Sequence, residues 1–224
     1  TLHDMYDAEV AYQDHLLAML LAELDRPERE NTLVVIVSDH GEMLGEHNIM
    51  GHGLGAYQEL VHVPLMIRFP GQTRGRRVDQ RVSTRSLFHT VLAAAGVETV
   101  TGEHVGTVQT GDHDLEQVAD PGHVYSEAYP PDNMTSIMEK HAPALLDAFA
   151  AKANRWACYH RAYKLIRIED VRDDLFNLDS DPGEMKPLDN EAELSEMLGR
   201  ELDAFLADCR ARRPEALSSA NVDL

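Results

Sequence analysis

The chain has 224 residues, of which 43% are hydrophobic, so it can bury a core and global disorder is excluded. Its formal net charge is -19, which argues against a broad basic surface for nucleic acid. No apolar run approaches the length of a membrane span, and the reading calls for neither a nucleic-acid nor a membrane partner.

The basic residues are lopsided. Lysine stands only at Lys140, Lys152, Lys164 and Lys186, so 16 of the 20 basic residues are arginine. Excess carboxylate with little lysine fits a surface adapted to concentrated salt, where charge repulsion is screened. The plainer alternative is an ordinary acidic protein. Two cysteines, Cys158 and Cys209, are too few for a disulfide framework or a zinc cage. Cys209 falls on an apolar helical position and is expected to be a buried thiol. The chain opens on Thr1 and shows no signal peptide, and it reads as a piece of something longer.

Residues 4–25 are expected to form a helix, with Tyr6, Val10, Leu17, Leu20, Leu21 and Leu24 on one face, ended before Pro27. Thr32 to Ser38 reads as a continuous apolar strand buried on both faces. A glycine-rich loop without strand or helix period follows, from Gly41 to Gly55. It is long for a connector, which favours a functional loop. Val61 to Phe69 reads as a second strand, and Ser83 to Ala95 as a helix ended by Gly96. Residues 99–121 read as loop, Val124 to Glu127 as a short strand, and 134–153 as helical. Beyond Arg155 the pattern changes to antiparallel strands at Trp156–Tyr159, Tyr163–Ile168 and Asp174–Leu178. A turn built on Asp181-Pro182-Gly183 precedes a helix over about 191–211, and the tail after Pro214 is expected to fray. The expected division is 1–150 as an α/β layer and 151–224 as a small antiparallel sheet closed by a helix.

Asp39 and His40 are the strongest local chemical signal. Ligands of open α/β sheets gather beyond the carboxyl ends of strands, which is where this pair stands. A carboxylate and an imidazole adjacent in a tight turn can both reach one divalent cation. The competing reading has Asp39 capping the loop and His40 in ordinary hydrogen bonds. Glu42, Glu46, His47 and His52 follow in the same loop.

The run from Thr32 to Glu46, TLVVIVSDHGEMLGE, resembles the second half of the sulfatase-family pattern, and the helix with Tyr6, Asp7 and Asp14 resembles the one before it. Tyr57-Gln58-Glu59-Leu60 and Val63 to Arg68 are similar to the family's next strand and its entry, and Ser86 to Gly96 to the helix ending in Ala-Gly. Tyr163 to Ile166, Asp174 to Leu178 and Asp181 to Glu184 resemble its small C-terminal sheet and turn. The resemblance implies a partial alkaline-phosphatase-like α/β sheet with flanking helices, plus the small antiparallel sheet packed by a helix. It implies cleavage of sulfate esters with a divalent metal, calcium first, magnesium or manganese as alternatives. Asp39 and His40 match metal ligands, and His52 after Gly51 stands where the family usually has a sulfate-binding lysine. Phosphonate or phosphate esters are the alternative substrates, and a non-catalytic half is the alternative of another class. The family's nucleophile arises from a Cys/Ser-x-Pro/Ala-x-Arg stretch. Neither cysteine is read as that stretch: Cys158 is followed by Tyr159, His160 and Arg161, and Cys209 by Arg210, Ala211 and Arg212. The nucleophile and the early aspartate ligands are therefore expected from the enzyme's missing N-terminal half.

Overall fold

A computed structural model describes residues 1–75, 77–97 and 124–212. The expected loop over 99–121 and the tail beyond Pro214 lie outside the described residues. The chain forms two compact units. One takes the chain up to His52 and again from Glu59 to 97; the other takes Gly53–Gln58 and everything described from 124 onward. Among the described residues, no helix is long and apolar enough to cross a membrane.

The first unit begins with helix α1, Leu2–Leu24. Only part of its expected apolar face is covered: Leu17, Leu21 and Leu24, at helical spacing, are half-buried, while Tyr6, Val10 and Leu20 are exposed. Strand β1 is Val34–Val37, and it pairs antiparallel with β4, Leu65–Arg68, in the register Val34↔Arg68 to Val37↔Leu65. This corrects the expectation of burial on both faces. Among the described residues β1 has one strand neighbour, three of its residues are half-buried, and Val37 is 41% exposed. The stretch expected as one strand from Val61 begins instead with a helical turn, α2 (Gln58–Val61). Pro64 restricts the residue before it to extended backbone, so the strand starts only after it.

Helix α3, Ser86–Ala94, ends as expected at Gly96, whose φ of 70° is open to glycine without strain. The Val97 N–H donates to Leu92 O and the Gly96 N–H to Ala93 O, a Schellman closure of the last turn.

The second unit is a four-stranded antiparallel sheet, β5-β6-β7-β8, comprising Val124–Ala128, Arg155–His160, Tyr163–Ile168 and Arg172–Asn177. All four strands fall where the sequence pattern puts them. The helical stretch before β6 is two helices, α4 (Asp132–His141) and α5 (Pro143–Ala148). The break is at Ala142, because Pro143 lacks an N–H and pushes its predecessor out of helical conformation. Helix α6, Ala192–Ala211, covers one face of the sheet. Trp156, Cys158, Leu165 and Leu175 meet Leu198 and Leu202 there, and Tyr125 stacks on Phe205 at 3.9 Å between ring centroids. The expectation of a buried Cys209 is corrected: residues 207–210 are all exposed, one turn beyond the packing of Leu206.

Strand alternation sends Tyr159, Lys164 and Phe176 to the opposite face. Lys164 and Glu184 form an ion pair there, Nζ to Oε1 at 2.6 Å, with both side chains 0% exposed. The other Glu184 oxygen accepts the Gln58 backbone N–H at 2.6 Å, and the Tyr159 hydroxyl donates to the Gln58 side-chain oxygen at 2.9 Å. Glu184 holds this position with a φ of 53°, in the left-handed region. A wholly buried charge pair thus ties Gly53–Gln58 to the sheet.

Candidate functional site

The site grows from the end of β1. Ser38 Oγ donates to His40 O at 2.6 Å, and the His40 N–H donates to Asp39 Oδ1 at 3.0 Å, so the chain turns sharply as the strand stops. The Gly41 N–H donates to Leu60 O at 2.8 Å. Gly41 also explains its own identity: a Cβ there would stand 1.9 Å from Glu59 O, so only glycine lets the two backbones approach.

The loop expected to lack regular structure contains a small hairpin. Strands β2 (Met43–Leu44) and β3 (Met50–Gly51) pair as Met43↔Gly51 and Leu44↔Met50. Its tip is tight, with His47 and Asn48 both at positive φ, and Glu46 Oε2 accepts the Leu44 N–H at 2.6 Å. Met43 and Ile49 are buried and anchor it. Hairpin pairing brings residue 52 back beside residue 42, ten positions earlier.

The outcome is a cluster of His40, Glu42 and His52. One donor atom from each lies within 4.8 Å of the other two. His52 Nδ1 is 3.0 Å from Glu42 Oε2, and the His40 and His52 rings stack at 4.2 Å between centroids. Asp39 lies at the edge of the cluster, Oδ2 3.8 Å from His40 Nε2, with its side chain 88% exposed. The His40 backbone N–H, then its own N–H, hold the Asp39 carboxyl below the usual carboxylate range, so it is an anion at neutral pH. His47 is not part of the cluster: it faces Glu59 at 3.9 Å. Glu46 is spent on the hairpin backbone and on His3, 3.7 Å away.

These residues fit a divalent cation on donor chemistry. Ligand bonds of about 2.0–2.2 Å let one ion bridge atoms up to roughly 4.4 Å apart, a span met by the 3.0 Å between His52 Nδ1 and Glu42 Oε2. His40 Nδ1 is 2.7 Å from Gly41 O, and a carbonyl oxygen only accepts. The ring proton therefore sits on Nδ1, which leaves Nε2 as the basic nitrogen that a metal takes.

The sulfatase family profile matches residues 1–97. Residues 1–97, a little under half of the chain, are therefore similar to that family. The uncharacterized sulfatase YidJ of Escherichia coli (strain K12) is 38% identical over 96 residues, covering 43% of this chain and 19% of that protein. The likeness of fold extends through nearly the whole chain. BT4656, solved in complex with its substrate D-glucosamine-2-N,6-O-disulfate, superposes with a TM-score of 0.64 at 22% identity, over 92% of this chain and 40% of that one. The phosphonate monoester hydrolase SpPMH from Silicibacter pomeroyi superposes with a TM-score of 0.63 at 21% identity, over 92% and 40%. This chain spans about a fifth of the curated relative and about two-fifths of the solved structures. The fold is alkaline-phosphatase-like, as the sequence implied.

Contrary to the expectation from sequence, Cys209-Arg210-Ala211-Arg212-Arg213 does satisfy the spacing of the nucleophile stretch. Cys209, however, lies in the last turn of the regular helix α6, in the other compact unit and after the Asp39-His40 turn in chain order. It is not among the residues the hairpin gathers. The member that sequence reasoning underweighted is Glu42.

Proposed function

We propose that this chain is the C-terminal part of a sulfatase-family hydrolase that cleaves sulfate esters with a divalent cation. Asp39 and His40 hold the cation, and His52 faces the ester in place of the family's usual lysine. The observation that carries this reading is the return of the β2–β3 hairpin, which sets His52 against His40 and Glu42 at the end of β1. A cation bound there supplies polarisation of the ester oxygens and a lowered pKa for an attacking hydroxyl. Asp39 contributes an ionised oxygen, and Gly41 holds the His40 tautomer. The nucleophile and the remaining ligands come from an N-terminal half. Residues 1–150 belong to the catalytic α/β domain and 151–224 form a small subdomain, to whose sheet β5 lends the edge strand.

A second reading, a phosphonate or phosphate ester hydrolase, is favoured by the nearly equal fold likeness to a phosphonate monoester hydrolase. The test is turnover of matched aryl sulfate and aryl phosphonate esters by a full-length protein that contains these residues, wild type and Asp39→Ala. Sulfate turnover at least tenfold faster than phosphonate, and lost in the variant, supports the proposal. The reverse preference selects the second reading, and activity untouched by Asp39→Ala refutes the site. The 224-residue chain alone is expected to show no turnover, and Cys209→Ala to change nothing.

A further inference from the structure

One short segment, Glu59-Leu60, holds the loop that carries His52 at two places. At the root, the Leu60 carbonyl accepts the Gly41 N–H at 2.8 Å, and the Glu59 carbonyl lies so close that a Cβ on Gly41 would stand 1.9 Å from it. At the far end, the Glu59 side chain faces the tip of the β2–β3 hairpin. Its Oε2 is 3.9 Å from His47 Nε2, and the two side chains are only 23% and 11% exposed. Both of those atoms are shut off from solvent. Among the described residues no hydrogen-bond donor reaches Glu59 Oε2, and a buried carboxylate is costly without compensation. His47 with a proton on Nε2 supplies that compensation, in the neutral tautomer and in the imidazolium alike.

The backbone at His47 is one that few side chains adopt. Its φ is 53°, in the left-handed region that glycine and asparagine enter most easily. A ring kept at such a place marks a position fixed by its surroundings. Glu59 is the group it faces, anchored by the buried Leu60 beside it. The hairpin has only two paired residues a side, too few for its own ladder to fix where the second strand points.

We infer that His47 and Glu59 are positioning residues: they latch the hairpin tip and so fix the direction in which Met50 and Gly51 deliver His52. Neither belongs to the cluster of His40, Glu42 and His52, so the pair acts only through the course of the chain. The inference rests on the reading of His52 as the group that faces the ester, and deepens it by naming what holds His52 there. A sulfate ester carries its charge in the ground state and in the transition state. A misplaced His52 therefore weakens binding in both, and raises KM more than it lowers kcat.

The experiment is steady-state kinetics on an aryl sulfate, at saturating divalent cation, with a full-length protein that contains these residues. Glu59→Gln keeps the side-chain volume and removes the charge. His47→Asn keeps a residue suited to left-handed backbone and removes the reach to Glu59, so both variants spare the turn itself. Each is expected to raise KM by roughly fivefold or more, with kcat within about twofold of the wild type. The double variant should be no worse than the more affected single one, and neither change should raise KM further in a His52→Ala background. If His52→Ala raises KM while Glu59→Gln and His47→Asn leave it unchanged, the inference is overturned and the reading of His52 stands. Effects that add in full to that of His52→Ala also overturn it, because the pair then acts by another route. A KM unchanged in His52→Ala itself overturns both.

Discussion

Removing one charge of the Lys164–Glu184 pair should cost far more than removing both. Neither side chain touches solvent, and their Nζ and Oε1 atoms are 2.6 Å apart. Taking each ion out of water costs several kcal/mol, offset only while the partner is present. Glu184→Gln keeps an amide oxygen for the Gln58 N–H and nearly the same volume, but leaves the Lys164 ammonium buried without its counter-ion. Breaking such a pair costs about 3–5 kcal/mol. The ammonium has one escape, giving up its proton. At pH 7 that costs about 4–5 kcal/mol from an ordinary lysine pKa, so it caps the penalty near the same figure. For a chain of this size each kcal/mol moves the melting temperature by roughly 2–4 °C, so a fall of roughly 6–20 °C is expected. Trp156, the only tryptophan, is buried in the same sheet, and its fluorescence reports the melt. The double variant Lys164→Met/Glu184→Gln should lose less than the sum of the two single variants. The deficit of Glu184→Gln should also narrow as pH rises toward 10, where a neutral lysine costs little. Additive losses, or a single-variant loss below about 1 kcal/mol, would refute the reasoning.

The two thiols should behave oppositely. Burial pushes the Cys158 thiol from 9.0 up to about 12, while Cys209 is exposed, so a thiol reagent should modify one cysteine in the native chain and two in denaturant. The same shift has a sign. A folded pKa above the unfolded one means that the unfolded chain releases its proton first, so this contribution is complete below pH 9 and is lost between pH 9 and 12. Cys158→Val should flatten that part of the alkaline decline, and an unchanged slope would contradict it. Gly41→Ala should destabilise the first unit and weaken cation binding, because its Cβ would meet a backbone oxygen at 1.9 Å; overpacking of this kind costs about 1–3 kcal/mol, measured by denaturant unfolding beside metal titration. The acidic surface should gain stability between low and molar potassium chloride, as the Debye length shortens from about 10 Å to about 3 Å. A melting temperature that stays flat or falls, with the chain still monomeric by sizing, sinks the salt-adapted reading.

The second unit was legible in the sequence because its elements are decided locally. Alternation at Trp156–Tyr159 and Tyr163–Ile168 fixes which residues share a face, and the stripe through Leu198 and Leu202 fixes the face of α6. Errors fell where a pattern is shared between environments. An all-apolar run such as Val34–Val37 reads the same for a strand buried on both faces and for one half-covered, because periodicity does not count neighbours. Cys209 shows the same limit from the helix side. It continues the apolar stripe of α6, yet burial depends on where the sheet stops, and the packing stops at Leu206. The Lys164–Glu184 pair was invisible for a related reason: the two residues lie far apart in the chain, and neither letter tells that its partner is buried beside it.

The candidate site divides along the same line. Asp39 and His40 were found from sequence because they are adjacent, and chain adjacency alone places them at one strand end. Glu42 and His52 are ten residues apart, and what joins them is the register Met43↔Gly51. A shift of that register by one residue would turn the side chains that follow to the opposite face and separate the pair. The register is in turn held by groups with no ligand chemistry: buried Met43 and Ile49, the Glu46 carboxylate on the Leu44 N–H, and the tight turn at His47 and Asn48. The donors of the cluster are therefore only as well placed as this short hairpin. Glu46→Ala should accordingly loosen divalent-cation binding although Glu46 touches no donor of the cluster. A Glu46→Ala chain that binds the cation as tightly as the wild type would show that the donors are held in place without the hairpin.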